Sequence, residues 1–200
     1  MIIAARMYVG LVAALAIGRP VVAQQPVKLS AVLTAFLADS GVRIQGLPWT
    51  TGAALPVKWQ TPKPVPAPDF AKQHGNTLTR VGTVRVAIGT RPPEKLTLTL
   101  FGNATGLQQV GIGGPYGEGE LPREVLQKAL SGEGIALKLI KCDPAKEGES
   151  YGNLVFTAKA PGKTMSGLHQ NWNCAHDGCG WTLEILYRRN DVAAVECSGG

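Results

Sequence analysis

Apolar positions recur along this chain at three spacings, and each marks a different kind of element. From Met7 to Gly18 they form an unbroken run, which Arg19 and Pro20 close. From Lys28 to Gly41 they fall three and four residues apart, at Leu29, Val32, Leu33, Phe36 and Leu37, which sets them in one stripe of a helix. Ser30 is placed to cap its start and Gly41 to end it. From Leu78 onward the period is two. Val84, Val86 and Ile88 alternate with Arg85 and Ala87, and Leu96, Leu98 and Leu100 with Thr97 and Thr99. Such alternation predicts strands with one face on a core and the other in water, joined through the turn Gly89 to Pro93. Gly106 to Ile112 reads as a third strand. A second helix is predicted over Leu121 to Ser131, with Pro122 in its first turn, Val125, Leu126, Ala129 and Leu130 on one face, and Gly132 past its end. Strands at Ile135 to Cys142, Asn153 to Ala158, Trp181 to Tyr187 and Val192 to Cys197 complete the reading.

This order of elements predicts an α+β fold: an antiparallel sheet with one helix packed on it, preceded by a small helical or βαβ N-terminal piece. The division that follows is a signal peptide over 1–23, a small helix–strand segment over 24–60, a Pro-rich linker over 61–77 and the α+β domain over 78–200. The linker rests on Thr61 to Pro68 (TPKPVPAP), whose prolines hold the backbone extended and keep it out of a sheet interior.

Within the N-terminal segment the predicted helix ends in the step Ser40-Gly41-Val42, and Val42-Arg43-Ile44 and Leu55 to Trp59 read as short strands. This step resembles the one in small periplasmic modules at the N-termini of secretins and TonB-dependent receptors. The likeness is confined to this stretch and includes no diagnostic side chain. It implies an accessory module of a secretion or receptor system.

Arg6, the apolar run after it and the small-residue ending Val21-Val22-Ala23 have the build of a secretory signal peptide, with cleavage expected after Ala23. The run is too short to cross a bilayer as a helix, which takes roughly 20 residues. No later stretch is apolar enough to do so, so no stable membrane insertion is expected after cleavage. No cysteine lies near the cleavage site to take a lipid. The expected location is periplasmic or secreted.

Export changes what the four cysteines mean. In an oxidising compartment Cys142, Cys174, Cys179 and Cys197 imply two disulfides, with three possible connectivities. Local geometry favours one. Ala175 to Gly178 has the make-up of a hairpin turn, and pairing Cys174 with Cys179 across it puts Trp172 directly opposite Trp181 on the same face as the sulfurs. Cys142 and Cys197 then remain to tie the strand after the second helix to the chain's end. The competing reading is a metal- or cysteine-dependent hydrolase using Cys174, His176 and Cys179, but structural zinc sites need a second, distant ligand pair, and the redox compartment competes for the thiols.

Other chemistry is thin. Gly162-Lys163-Thr164 lacks the upstream glycine of a phosphate-binding loop, since position 157 is Thr, and reads as a turn. No G-x-S-x-G, H-E-x-x-H or paired-carboxylate pattern occurs. The formal charge is +6, of which Arg6 and Arg19 supply two, and no basic cluster exceeds a pair such as Arg188-Arg189, so nucleic acid is not an expected partner. No cofactor or metal is implied. The function expected is therefore that of a non-enzymatic binding protein of the cell envelope, whose partner is an envelope protein or a glycan. Its candidate contact residues are His169, Trp172, His176, Asp177 and Trp181, on and around the hairpin.

Overall fold

The computed structural model describes residues 25–39, 46–66, 75–114, 121–148, 150–176 and 178–198. The signal peptide, the strand at 42–44 and Asp177 lie outside them. The described residues hold a mostly-sheet fold with three short helices. In chain order these are β1 (Val27–Lys28), α1 (Leu29–Phe36), β2 (Ala38–Asp39), β3 (Lys58–Trp59), β4 (Lys63–Pro64), β5 (Leu78–Ala87), β6 (Glu94–Asn103), β7 (Gly106–Gly113), α2 (Arg123–Ser131), β8 (Ala136–Lys141), β9 (Tyr151–Ala160), β10 (Lys163–Ala175), β11 (Gly178–Leu186) and α3 (Arg189–Ala194).

The strands form one mixed sheet in the order β1-β5-β6-β7-β11-β10-β9-β8. Two antiparallel meanders, β5 to β7 and β8 to β11, meet where β7 pairs with β11. A helix precedes each meander. The one parallel pairing among the described strands is β1 against β5, and β3 and β4 pair along that same edge of β5. Pro64 within β4 needs no ladder donor at an edge position, which is where proline is tolerated in a sheet.

The period-two residues do what alternation requires. Val84, Val86, Leu96, Leu98, Leu100, Val110, Ile112, Leu183 and Ile185 are all buried on one face. Both α1 and α2 pack on that face. Leu29, Val32, Leu33 and Phe36 of the first helix and Leu126, Ala129 and Leu130 of the second belong to one continuous cluster with the sheet.

Four expectations are corrected here. Two helices, not one, cover the inner face, and the N-terminal helix is built into the same core as the second. The sheet is mixed through β1. Helix α1 is shorter than Lys28 to Gly41: Lys28 precedes it without a side-chain cap, Ser30 lies inside it, and the backbone turns extended at Leu37. This extension lets Ala38 and Asp39 pair with Thr164 and Lys163 of β10. Finally, Val192 to Cys197 is not a strand. It is the end of α3 and the tail after it, because Arg188 forks both oxygens of Asp191 (2.7 and 2.9 Å) and closes the first helical turn.

Helix α3 and the tail lie on the outer face of the sheet, over β10 and β11. Val192 reaches the Cα of Gly167, where a Cβ would come within 2.8 Å of its Cγ2. Lys141 donates to the carbonyl oxygen of Ala193 (2.5 Å) at the C-terminal end of the helix, where a cation is favoured. Cys142–Cys197 then anchors the tail.

Candidate functional site

The hairpin of β10 and β11 has the register that its sequence implies. Trp172 pairs with Trp181, and Cys174 with Cys179, whose sulfurs are bonded at a Cα–Cα distance of 4.0 Å. The turn is tighter than Ala175 to Gly178, because Ala175 and Gly178 already pair as strand residues. With Cys142–Cys197 also formed, all four sulfurs are used in disulfides, and the described chain has no free cysteine.

Strand β10 has a different neighbourhood on each side. Leu168, Gln170, Trp172 and Cys174 point to the inner face, while His169 and Asn171 point outward. The four described hairpin candidates therefore do not converge. Trp181 is 3% exposed and belongs to the core, its indole covering Gly114 so closely that a Cβ there would come 2.7 Å from Nε1. Trp172 is half-buried. His176 sits exposed at the turn, and Asp177 lies outside the described residues.

On the inner side, Trp172 forms one wall of an open groove of about 490 Å³. Its indole occupies the space that a Cβ would take on Gly152, directly across on β9, 2.1 Å from that position. Its Nε1 donates to the Gly148 carbonyl (3.2 Å). The other walls come from Leu121, Pro122, Arg123 and Glu124 at the start of α2 and from Pro144 and Glu147. The N-cap residue of α2, Pro122, makes no side-chain cap. Gln170 sits in the wall beside Trp172, 1% exposed, and its Nε2 donates to the Leu121 carbonyl (2.6 Å). Its Oε1 has no hydrogen-bond partner. A buried acceptor left unpaired costs about 1–3 kcal/mol.

Each charged group of the groove has a partner. Arg123 holds the Glu124 carboxylate at 3.1 Å. Glu147 accepts from the backbone N–H of Asn153 (2.7 Å), from the backbone N–H of Ser198 (3.1 Å) and from the Ser198 hydroxyl (2.6 Å). Glu147 thus joins the groove's rim to the disulfide-anchored tail.

On the outer side, a cleft of about 370 Å³ lies between the sheet and the α3 tail, lined by Gln109, Tyr151, His169, Glu184, Val195 and Glu196 among others. At its floor His169 Nδ1 meets Glu184 Oε2 at 3.0 Å, and its Nε2 meets Asn153 Oδ1 at 2.8 Å. The amide orientations are fixed from outside: Asn171 Nδ2 donates to the Gly152 carbonyl (3.3 Å) and to Asn153 Oδ1 (3.0 Å). Both imidazole nitrogens therefore face oxygen atoms of neighbouring strands. With both nitrogens engaged, this arrangement ties β9, β10 and β11 together.

Comparison with known protein families, with curated proteins and with solved structures gives no match. The site therefore rests on its own geometry.

Sequence reasoning reached Trp172 and missed Gln170, the start of α2 and Gly152. One signal was available. In the inward row Leu168, Gln170, Trp172, Cys174 the glutamine is the single side chain that a core would not choose. The Cys142, Glu147 and Cys197 cluster also brings potential metal ligands within 4.8 Å of one another, but its two sulfurs are bonded to each other and its carboxylate is held by Asn153 and Ser198.

Proposed function

We propose that this chain is an exported, periplasmic or secreted, non-enzymatic binding protein of the cell envelope, and that it takes its ligand in the groove beside Trp172. The reading is carried by one observation: a half-exposed indole, fixed in place by Gly152 and Gly148, stands next to a buried amide oxygen with no partner. A rigid aromatic wall with a few fixed polar groups is the usual make-up of a ligand pocket, and the volume lies within the range of roughly 300–1,000 Å³. Two formed disulfides fit an oxidising compartment. No helix among the described residues is long and apolar enough to cross a membrane.

Photo-crosslinking in the native envelope tests this. A photoreactive residue at Pro144 or Arg123, on the groove's rim, is expected to capture one defined species, whereas one at Thr97 on the far outer face captures none. Equal labelling from all three positions, or capture only from Glu196 at the outer cleft, would overturn the reading.

A further inference from the structure

The groove's chemistry narrows what it can hold, and this step rests on the binding role proposed above. We infer that its ligand is a neutral, hydroxyl-rich glycan, with one pyranose ring laid against Trp172. Three features point the same way. Gln170 Oε1, shielded in the groove's wall, is an acceptor without a donor, and a sugar hydroxyl or an acylamino N–H that displaces its cover supplies one. The first turn of α2, where Pro122 as N-cap has no side chain to cap it, points backbone N–H groups at the groove from Arg123 and Glu124. A single hydroxylated ring that both donates and accepts answers both needs, and its C–H face matches an indole that is already immobilised.

Charge removes the nearest competitor. The guanidinium in the groove is already paired with Glu124, and Glu147 contributes a second carboxylate held by neutral donors. Among the described lining residues an anionic sugar would meet two carboxylates and no unpaired cation, so its acidic group gains nothing from entering. An extended peptide would need an open strand edge, yet β10 is paired on both sides, and on the stretch of β9 that β8 leaves unpaired the Asn153 N–H is already taken by Glu147.

Titration calorimetry and chemical-shift mapping on the purified protein provide the test. The probes are cellotetraose and tetra-N-acetylchitotetraose as neutral glycans, tetragalacturonate as the acidic comparator and a neutral tetrapeptide. Binding is expected for at least one neutral sugar, changing less than twofold between 50 and 500 mM salt, with tetragalacturonate at least fivefold weaker. Which neutral probe binds tells a hydroxyl donor from an acylamino one. Shifts should centre on the Trp172 indole N–H, Gly152 and Arg123. Gln170→Met should weaken binding about tenfold. If that variant does not fold, the wild-type shift map decides alone.

No binding of either neutral sugar, tighter binding of tetragalacturonate or the peptide, or shifts centred on Tyr151 and His169 would each overturn the inference. If the rim crosslinks still capture a species while both neutral sugars fail, the ligand class is wrong and the groove reading stands. If the sugars map to the groove and nothing is captured in the envelope, the chemistry stands and the envelope role falls.

Discussion

At the scale of single residues, the side chains that hold this protein in register are those that find one exact partner across a long stretch of chain. Tyr187, just past β11, donates its hydroxyl to the Phe36 carbonyl at the end of α1 (2.8 Å), joining positions 151 residues apart. Burial pushes its phenol well above the ordinary tyrosine range. Because the folded-state value is raised, the unfolded chain loses this proton first. The stabilisation is therefore complete below about pH 10, the unperturbed tyrosine value, and is lost as pH climbs beyond it. Tyr187→Phe should cost about 1–2 kcal/mol at pH 7, by leaving the Phe36 carbonyl unpaired. The variant should then lose less stability than wild type on going to pH 11. Urea unfolding of both proteins at the two pH values measures this, and parallel losses would show that the phenol does not carry the effect.

At the scale of elements, the two disulfides do different work. Cys174–Cys179 staples a hairpin whose strands are already paired, across a separation of 5 residues. Cys142–Cys197 closes a loop of separation 55 and holds α3 and the tail over the outer cleft. Loop-closure entropy alone gives the long bridge about 4 kcal/mol. Cys142 adopts a φ of 66°, in the left-handed region, at a cost of about 1–2 kcal/mol. Replacing both Cys142 and Cys197 by Ser should thus lower unfolding free energy by about 2–3 kcal/mol. It should also raise hydrogen exchange across Arg189 to Ala194 while leaving the hairpin amides protected. Unchanged exchange in α3 would mean that Lys141 and Arg188 hold the helix without the bridge. The hairpin was legible in the sequence because everything that defines it is local: strand parity, a tight turn and two cysteines fix one register. Helix α3 was not, because Val192 and Val195 at the end of an apolar stretch look extended until the Arg188–Asp191 fork is seen. The groove was least legible. Its walls come from 121–124, 144–148 and 170–172, and only the sheet order brings them together.

At the scale of the whole molecule, a helix followed by a meander occurs twice, and the two meanders join through β7 and β11 so that both helices share one core. The sequence displays the amphipathic stripe of α1 but not its destination, since a stripe says that a helix packs without saying on what. This matters for the N-terminal segment, whose likeness to secretion and receptor modules suggests a detachable unit. Leu29, Val32, Leu33 and Phe36 are at most 1% exposed, and β1, β3 and β4 complete the otherwise open edge of β5. Deleting residues 24–60 should therefore strip the inner face of the first meander and leave only β4 on that edge of β5, and the remainder should lose cooperative thermal unfolding. Leu33→Ala offers a gentler version at the same site, expected to cost about 2–5 kcal/mol with the fold retained. Circular dichroism melts of both proteins decide the matter. A remainder that still unfolds in one sharp transition, with its hairpin intact, would show that the second meander and α2 form a core of their own and that the N-terminal segment is an attachment.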